Sequence, residues 1–315
     1  MKLAFIVDPL AGLKAYKDSS VAMMREAARR GHDLSVIEQR DLYLREGRPA
    51  AFASRIRLID TTAGWYELSA TSDTPLGAFD AVLMRKDPPF DTEYLYSTHL
   101  LELAQNQGVR VFNRPSALRD FNEKLAIARF PQFTVPTLVT RRADLIKDFL
   151  AEQRDVILKP LDGMGGSGIF RIRGGDANLN VIIETLTGLE TRTVMAQRYI
   201  PEIVLGDKRI LLIDGEAVPY ALARIPAEGE TRGNLAAGGK GVAQPLSARD
   251  REIAGTVGPV VRELGLFLVG LDVIGDYLTE INVTSPTGFT EITRQTDCNV
   301  ASRFIDALER KCGVS

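Results

Sequence analysis

The stretch KPLDGMGGSGIF, Lys159 to Phe170, limits this chain more than any other. It spells G-x-G-x-x-G through Gly163, Gly165 and Gly168. In a dinucleotide-binding fold those glycines follow a strand and open a helix, with an acidic residue about 20 positions on. The preceding strand is here, Asp155 to Lys159. The helix is not. GIFRIRGG alternates apolar and polar residues and stops at Gly174-Gly175, which is the period of a strand. The glycines therefore join two strands as a flexible hairpin. A Walker loop is excluded too, because no Gly-Lys-Ser/Thr closes the segment. A glycine hairpin can fold its backbone N–H groups over phosphate oxygens, with Lys159 adding a point charge. Protein kinases use the same physics on another topology. The same residues also fit a plain solvent-exposed β-turn.

The chain around the hairpin reads as three parts. Residues 1–120 alternate strand and helix. Leu3 to Val7 is an apolar strand, Asp18, Ser19 and Ser20 offer caps for a helix over Val21 to Arg30, and further strands start at Leu34, Asp80 and Val109. This pattern predicts an α/β domain with a mostly parallel sheet. Residues 121–200 read as α+β, with a helix from near Ser116 carrying Asn122, Glu123 and Lys124. The strands TLVT, DVILKP, GIFRIR and TVMAQRYI follow. Residues 201–315 open with a hairpin turned at Asp214-Gly215. A glycine-rich segment comes next, then a helix from Ser247 to Leu264, a second strand pair around Gly275-Asp276 and a terminal helix from Val300 to Lys311.

In that second pair, LTEINV puts Glu280 and Asn282 on one face of a strand, and Asp272 lies on the strand before. Two carboxylates and an amide oxygen are hard ligands suited to Mg²⁺, with phosphates filling the remaining positions. Three polar residues on a solvated face is the bland alternative. The apolar flanks favour the metal, since an unpaired carboxylate on a buried strand is unfavourable. For Asp272 to share a face with Glu280 the two must be opposed, which pairs Ile274 with Leu278 across a three-residue connection, Gly275 to Tyr277. Arg209, Arg224 and Arg232 recur nearby. Arg232 lies with Asn234 and Lys240 in GETRGNLAAGGKG, a coreless loop of the kind that serves as a lid.

Composition removes other classes. Charged residues make up 25% and hydrophobic ones 45%, as in ordinary globular proteins. The formal net charge of −2 gives no reason to expect nucleic acid or an anionic membrane as partner. Cys298 and Cys312 are too few for a disulfide scaffold and fit a reducing cytoplasm. His32 and His99, the only histidines, make a zinc site or a histidine-based triad improbable. No apolar run approaches the roughly 20 residues of a membrane helix.

Four blocks, MRKDPPFDTEY, LKPLDGMGG, ARIPAEGETRGNLAAGG and LTEINVTSPTG, resemble the ATP-grasp superfamily, and within it the bacterial glutathione synthetases. The resemblance covers nearly the whole chain. One departure is SPTGFTEI, where the family tends to carry a basic residue soon after SPTG. The resemblance implies an ATP-grasp fold behind an N-terminal Rossmann-like (pre-ATP-grasp) domain, in a cytoplasmic homotetramer. It implies ligation of γ-glutamylcysteine and glycine through an acyl phosphate, with ATP and two Mg²⁺ ions (or Mn²⁺). Lys124, Lys159 and the backbone of Gly165 and Gly166 would hold phosphates. Gln197, Tyr199 and Ile200 would form the adenine hinge, and Asp207 would reach the ribose. Asp272, Glu280 and Asn282 would bind the metal. Arg209, Arg224, Asn234 and Ser285 would face the acyl phosphate and peptide, and Arg232 would arrive with the lid. Arg85 and Lys86 would either contact substrate or brace a domain interface. Another carboxylate–amine ligase of the superfamily and a non-catalytic nucleotide-binding protein are the competing expectations.

Overall fold

Eight strands form the first sheet: β1 (Lys2–Val7), β2 (Asp33–Glu38), β3 (Leu42–Arg45), β4 (Arg48–Thr61), β5 (Gly64–Leu68), β6 (Ser72–Pro75), β7 (Ala81–Met84) and β8 (Val111–Phe112). The structure, a computed structural model, describes residues 1–61, 64–227, 233 and 238–314. Leu3 to Val7 are buried in succession, so β1 belongs in the middle of a covered sheet. It pairs in parallel with β2 and β7, and β7 pairs in parallel with β8. The parallel centre is the one the strand–helix alternation predicts. The antiparallel extension built on β4 was not expected from the sequence. Helix α1 (Ser19–Arg29) is capped by Asp18, whose carboxylate accepts the N–H of Val21 at 2.9 Å. Helices α2 (Thr92–Asn106) and α3 (Pro115–Asp120) follow.

The second sheet is antiparallel, in the order β11-β10-β12-β9. Its strands are β9 (Thr137–Thr140), β10 (Asp155–Pro160), β11 (Phe170–Arg173) and β12 (Val194–Arg198). Two helices not located from the sequence, α4 (Ala143–Gln153) and α5 (Leu179–Thr187), cover one face. Ile146, Leu150 and Ile183 from those helices close over Val156, Leu158 and Ala196. The glycine segment joins β10 to β11 as an antiparallel hairpin, as expected, and Gly165, Gly166 and Gly168 all take positive φ.

The third sheet contains β13 (Asp207–Ile213), β14 (Glu216–Ile225), β15 (Lys240–Pro245), β16 (Leu268–Ile274) and β17 (Tyr277–Asn282), ordered β15-β14-β13-β16-β17. Helix α6 (Ala248–Glu263), α7 (Phe289–Gln295) and α8 (Val300–Cys312) pack around it. Asp214-Gly215 makes the two-residue turn between β13 and β14, with φ of 50° and 80°. That turn lies against α6 so closely that a Cβ on Gly258 would sit 2.2 Å from the Gly215 carbonyl oxygen. Gly258→Ala is expected to destabilise the protein by about 2–3 kcal/mol in urea unfolding. An unmoved midpoint would mean that the turn is free to shift.

Two expectations need correction. Asn122, Glu123 and Lys124 are not helical, because α3 ends at Asp120. The Asn122 side-chain oxygen accepts the N–H groups of Lys124 (3.1 Å) and Leu125 (2.9 Å), a local turn that competes with the helix. The β16–β17 connection is also different. Asp272 does oppose Glu280, but Ile274 pairs with Tyr277 and Val273 with Leu278 across a two-residue turn. A bulge at Thr279 restores the register, and the Thr279 hydroxyl donates to the Asp272 carbonyl oxygen at 3.1 Å.

The first and third sheets share a core. Leu3, Phe5 and Val36 belong to the same apolar cluster as Leu211, Phe289 and Phe304. Buried Asn113 ties the seam: its amide donates to the carbonyls of Leu268 (2.8 Å) and Val283 (2.7 Å) and its oxygen accepts the N–H of Leu268. At the rim, Arg30 and His32 reach Glu309 of α8.

Candidate active site

The second and third sheets enclose a cleft of about 360 Å³. Strand alternation decides which side chains enter it. On β10 the even-numbered Val156 and Leu158 pack under the helices, while Ile157 and Lys159 face the cleft. On the third sheet Asp207, Arg209, Arg224, Asp272, Glu280 and Asn282 share the opposite wall. Gly270 makes room for Arg209, since a Cβ there would stand 2.8 Å from the arginine Cδ. Lys124, Gly165, Gly166, Gln197, Tyr199, Ile200 and Ser285 also line the cleft. Arg232 and Asn234, with most of the proposed lid, lie outside the described residues, while Lys240 opens β15 opposite Ile225.

One end of the cleft is strongly cationic. Lys124 donates to the Gly163 carbonyl at 2.5 Å and so ties itself to the glycine hairpin. Lys159 lies 3.3 Å from Glu280 Oε1, and Lys124 lies 3.9 Å from the same oxygen. Burial lowers the pKa of Lys159, while Glu280 opposes that shift and Lys124 adds to it. Two buried ammonium groups sharing one carboxylate make a receptor for further negative charge, such as phosphate.

Beside them lies a network of two arginines and two aspartates. Arg209 grips Asp272 with both arms, at 2.5 and 3.0 Å, and Arg224 reaches the same carboxylate at 2.8 Å. Burial would raise the pKa of Asp272, but the two guanidiniums hold it well below the usual carboxylate range. Arg224 also pairs with Asp207. Burial pushes Asp207 up to about 7 against the pull of Arg224. Its Oδ1 is buried without a hydrogen-bond partner among the described residues, an acceptor that a ligand hydroxyl would satisfy.

The donor chemistry fits Mg²⁺ in part. Glu280 Oε2 and Asn282 Oδ1 have no protein donor among the described residues. They are hard oxygens on one strand face, open to a cation whose shell phosphates would complete. Both Asp272 oxygens face guanidiniums. Among the described residues, no group of three His, Cys, Asp or Glu side chains could hold a metal unaided.

The other end of the cleft is apolar, with Ile157, Ile169, Ile203 and Ile274 around the hinge. The Tyr199 N–H donates to the Asp155 carbonyl at 2.9 Å, whereas the Ile200 N–H has no protein partner among the described residues. The Tyr199 ring lies beneath the Arg171 guanidinium, 3.4 Å from the ring centroid. Gln197 is fixed through its amide to Thr137 at 3.1 Å.

The first domain supplies the remaining wall. Arg85 does not line the cleft. It is buried, donating to Ser20 Oγ at 3.1 Å and to the Pro286 carbonyl at 3.0 Å, while its Nη1 has no partner among the described residues. Lys86 pairs with Asp8 at 2.8 Å. Sequence reasoning assigned no role to Glu123, Asp87 or Arg171. Glu123 Oε1 accepts the N–H groups of Val283 (2.8 Å) and Thr284 (3.0 Å) and the Thr284 hydroxyl (2.8 Å), so it fixes the turn that carries Ser285. Asp87 lines the cleft itself, and its signal was the DPPFD run. Phe289, where a basic residue was sought, is fully buried against Phe304 and turned from the cleft.

Comparison with known proteins gives concordant matches. The family model described as the N-terminal domain of prokaryotic glutathione synthetase matches residues 1–119, and the one for its ATP-grasp domain matches residues 123–297. The glutathione synthetase of Nitrosomonas europaea is 64% identical over 98% of this chain and 98% of its own. That of Pseudomonas putida is 57% identical over 99% and 98%. Among solved structures, D-cycloserine synthetase DcsG superposes with a TM-score of 0.70 at 18% identity, covering 99% of this chain and 100% of its own. The ATP-grasp ligase PsnB, complexed with a minimal precursor, Mg and ADP, superposes at 0.63 and 17% identity over 99% and 98%. At such identities these two neighbours speak for the fold.

Proposed function

The chain belongs to the prokaryotic glutathione synthetase family, and from that premise we propose that it is an ATP-dependent ligase joining γ-glutamylcysteine to glycine. One observation carries the reading. A single cleft holds two buried lysines and a glycine hairpin on one wall, and an arginine pair beside open hard-oxygen donors on the other.

The donor carboxylate attacks the γ-phosphorus of ATP, ADP leaves, and an acyl phosphate forms. Two anions must meet, so cations have to be in place beforehand. Lys124 and Lys159 would hold the phosphates, with the N–H groups of Gly165 and Gly166 closing over them. Ile200 would read the adenine edge with its N–H, which has no partner among the described residues, next to the Tyr199 carbonyl and Gln197. Asp207 would accept a ribose hydroxyl through Oδ1. Glu280 and Asn282 would hold Mg²⁺, joined by Asp272 if Arg224 turns away, and the metal would neutralise phosphate charge. The glycine amine, deprotonated, then attacks the acyl carbon, and phosphate departs. Arg209 and Arg224 would stabilise the oxyanion of that addition. Ser285, on its Glu123-held turn, would orient the peptide, and Arg85 would brace that turn through Pro286. Acyl phosphates hydrolyse, so a cover is chemically required, and the loop carrying Arg232 and Asn234 is our candidate. Two metal ions, Mn²⁺ as a substitute, a homotetramer and a cytoplasmic location belong to the same proposal, supported by the resemblance. No helix among the described residues is long and apolar enough to cross a membrane.

The test is ADP release with ATP, Mg²⁺ and γ-glutamylcysteine, with and without glycine. Release that needs both substrates and yields glutathione is the expected result. Release independent of both would remove the substrate assignment.

A further inference from the structure

Asp87 differs from every other carboxylate of the cleft. Asp207, Asp272 and Glu280 are each paired with an arginine or lysine, and Glu123 is held by three donors. Asp87 makes no ion pair among the described residues, although it lines the cleft beside Ser285 and Pro286. The cations next to it in sequence are committed elsewhere. Arg85 is spent on Ser20 and Pro286, and Lys86 on Asp8. Burial raises the pKa of Asp87, opposed by a hydrogen bond from Ser285. A half-buried carboxylate in a cleft wall, with no cation in contact among the described residues, suits a ligand that brings one.

The reading above, on which this inference rests, supplies two amines. Glycine must lose its proton before it attacks, so a carboxylate holding it as an ammonium would oppose the reaction. The α-ammonium of the γ-glutamyl group never reacts and can stay charged. The charges that act most on Asp87 are Arg85, Asp8 and Asp18, all from the first domain, and not the cations around the phosphate end. We propose that Asp87 binds the α-ammonium of the γ-glutamyl donor, with the Ser285 hydroxyl alongside, and so selects a γ-glutamyl donor over a plain acyl one.

The test compares γ-glutamylcysteine with glutarylcysteine, which keeps the chain length and lacks only the α-ammonium, at saturating ATP, Mg²⁺ and glycine. The wild type is expected to prefer the first by about 30-fold in kcat/KM. Asp87→Asn is expected to erase that preference by raising KM for γ-glutamylcysteine, without moving KM for glycine or ATP. A wild type indifferent to the ammonium overturns the inference without any variant. So does an Asp87→Asn enzyme that loses equally on both donors, which would mark a structural role, or one whose KM rises for glycine alone. A wild type that makes no glutathione overturns the functional reading and this inference with it. A wild type that makes glutathione, with a preference that survives Asp87→Asn, overturns this inference alone.

Discussion

Lys159→Met is expected to lower kcat/KM by about three orders of magnitude while leaving the folded state no less stable than before. The lysine is 4% exposed and carries its charge into the cleft. Methionine matches its length and removes the desolvation. Glu280, partly open to solvent, keeps Lys124 at 3.9 Å, so no carboxylate is left buried and unpaired. The effect on stability should depend on pH. A lysine whose pKa falls on folding destabilises the fold fully below its folded value, and that penalty disappears above the unfolded value of about 10.4. The advantage of methionine should therefore shrink as pH rises toward about 10. Urea unfolding at neutral and alkaline pH, beside steady-state kinetics, measures both parts. A variant that folds markedly worse would show that the Lys159–Glu280 pair holds the two sheets together.

Arg209→Ala should be costly in both respects, by about 100-fold or more in kcat/KM and about 3 kcal/mol in stability. The two-armed contact to buried Asp272 is lost, and Arg224 must then serve Asp207 and Asp272 alone. Arg209→Lys should recover part of the stability and little of the rate, because an ammonium cannot reproduce the planar two-point contact. Acid unfolding gives an independent measure. Asp272 is depressed on folding, so its contribution is complete above the unfolded value of about 3.9 and is lost as pH falls through the lower folded value. Without Arg209 the folded value rises, so the loss should be smaller and should be complete at a higher pH than in the wild type. An unchanged acid transition would mean that Arg224 is sufficient.

Much of the site could be read in advance because strands obey a period of two. Glu280 and Asn282 had to share a face, and the segment after Gly168 could only be a strand. Two helices were legible and not read: Ile146 and Leu150 of ADLIKDFL stand four apart in the pattern of a helix packing on a sheet. The turn at Asn122 was harder, since a side chain that takes two backbone N–H groups leaves no trace in hydrophobic patterning. The antiparallel ribbon on β4 exposes one face, so it carries a weaker apolar signal than β1. Asp87 was visible as a residue but not as a receptor. What sets it apart is that Arg85 and Lys86 bond elsewhere, and only the fold decides that.

The Thr279 bulge gives the β16–β17 hairpin a parity. With two residues in the turn, an even count would place Thr279 opposite Asp272 and send Glu280 to the helix-packed face. The extra residue makes the count odd and returns Glu280 and Asn282 together to the cleft. Turn length and bulge are therefore one quantity stored in two places. A turn of three residues, Gly275 to Tyr277, with Thr279 taken into the ladder would bring Asp272 opposite Glu280 just as the two-residue turn and the bulge do, whereas the two-residue turn with Thr279 in the ladder would invert the wall. Deleting Thr279 should therefore leave Glu280 and Asn282 on the metal face in a regular hairpin, because the residue removed is the one that pairs with nothing on the facing strand.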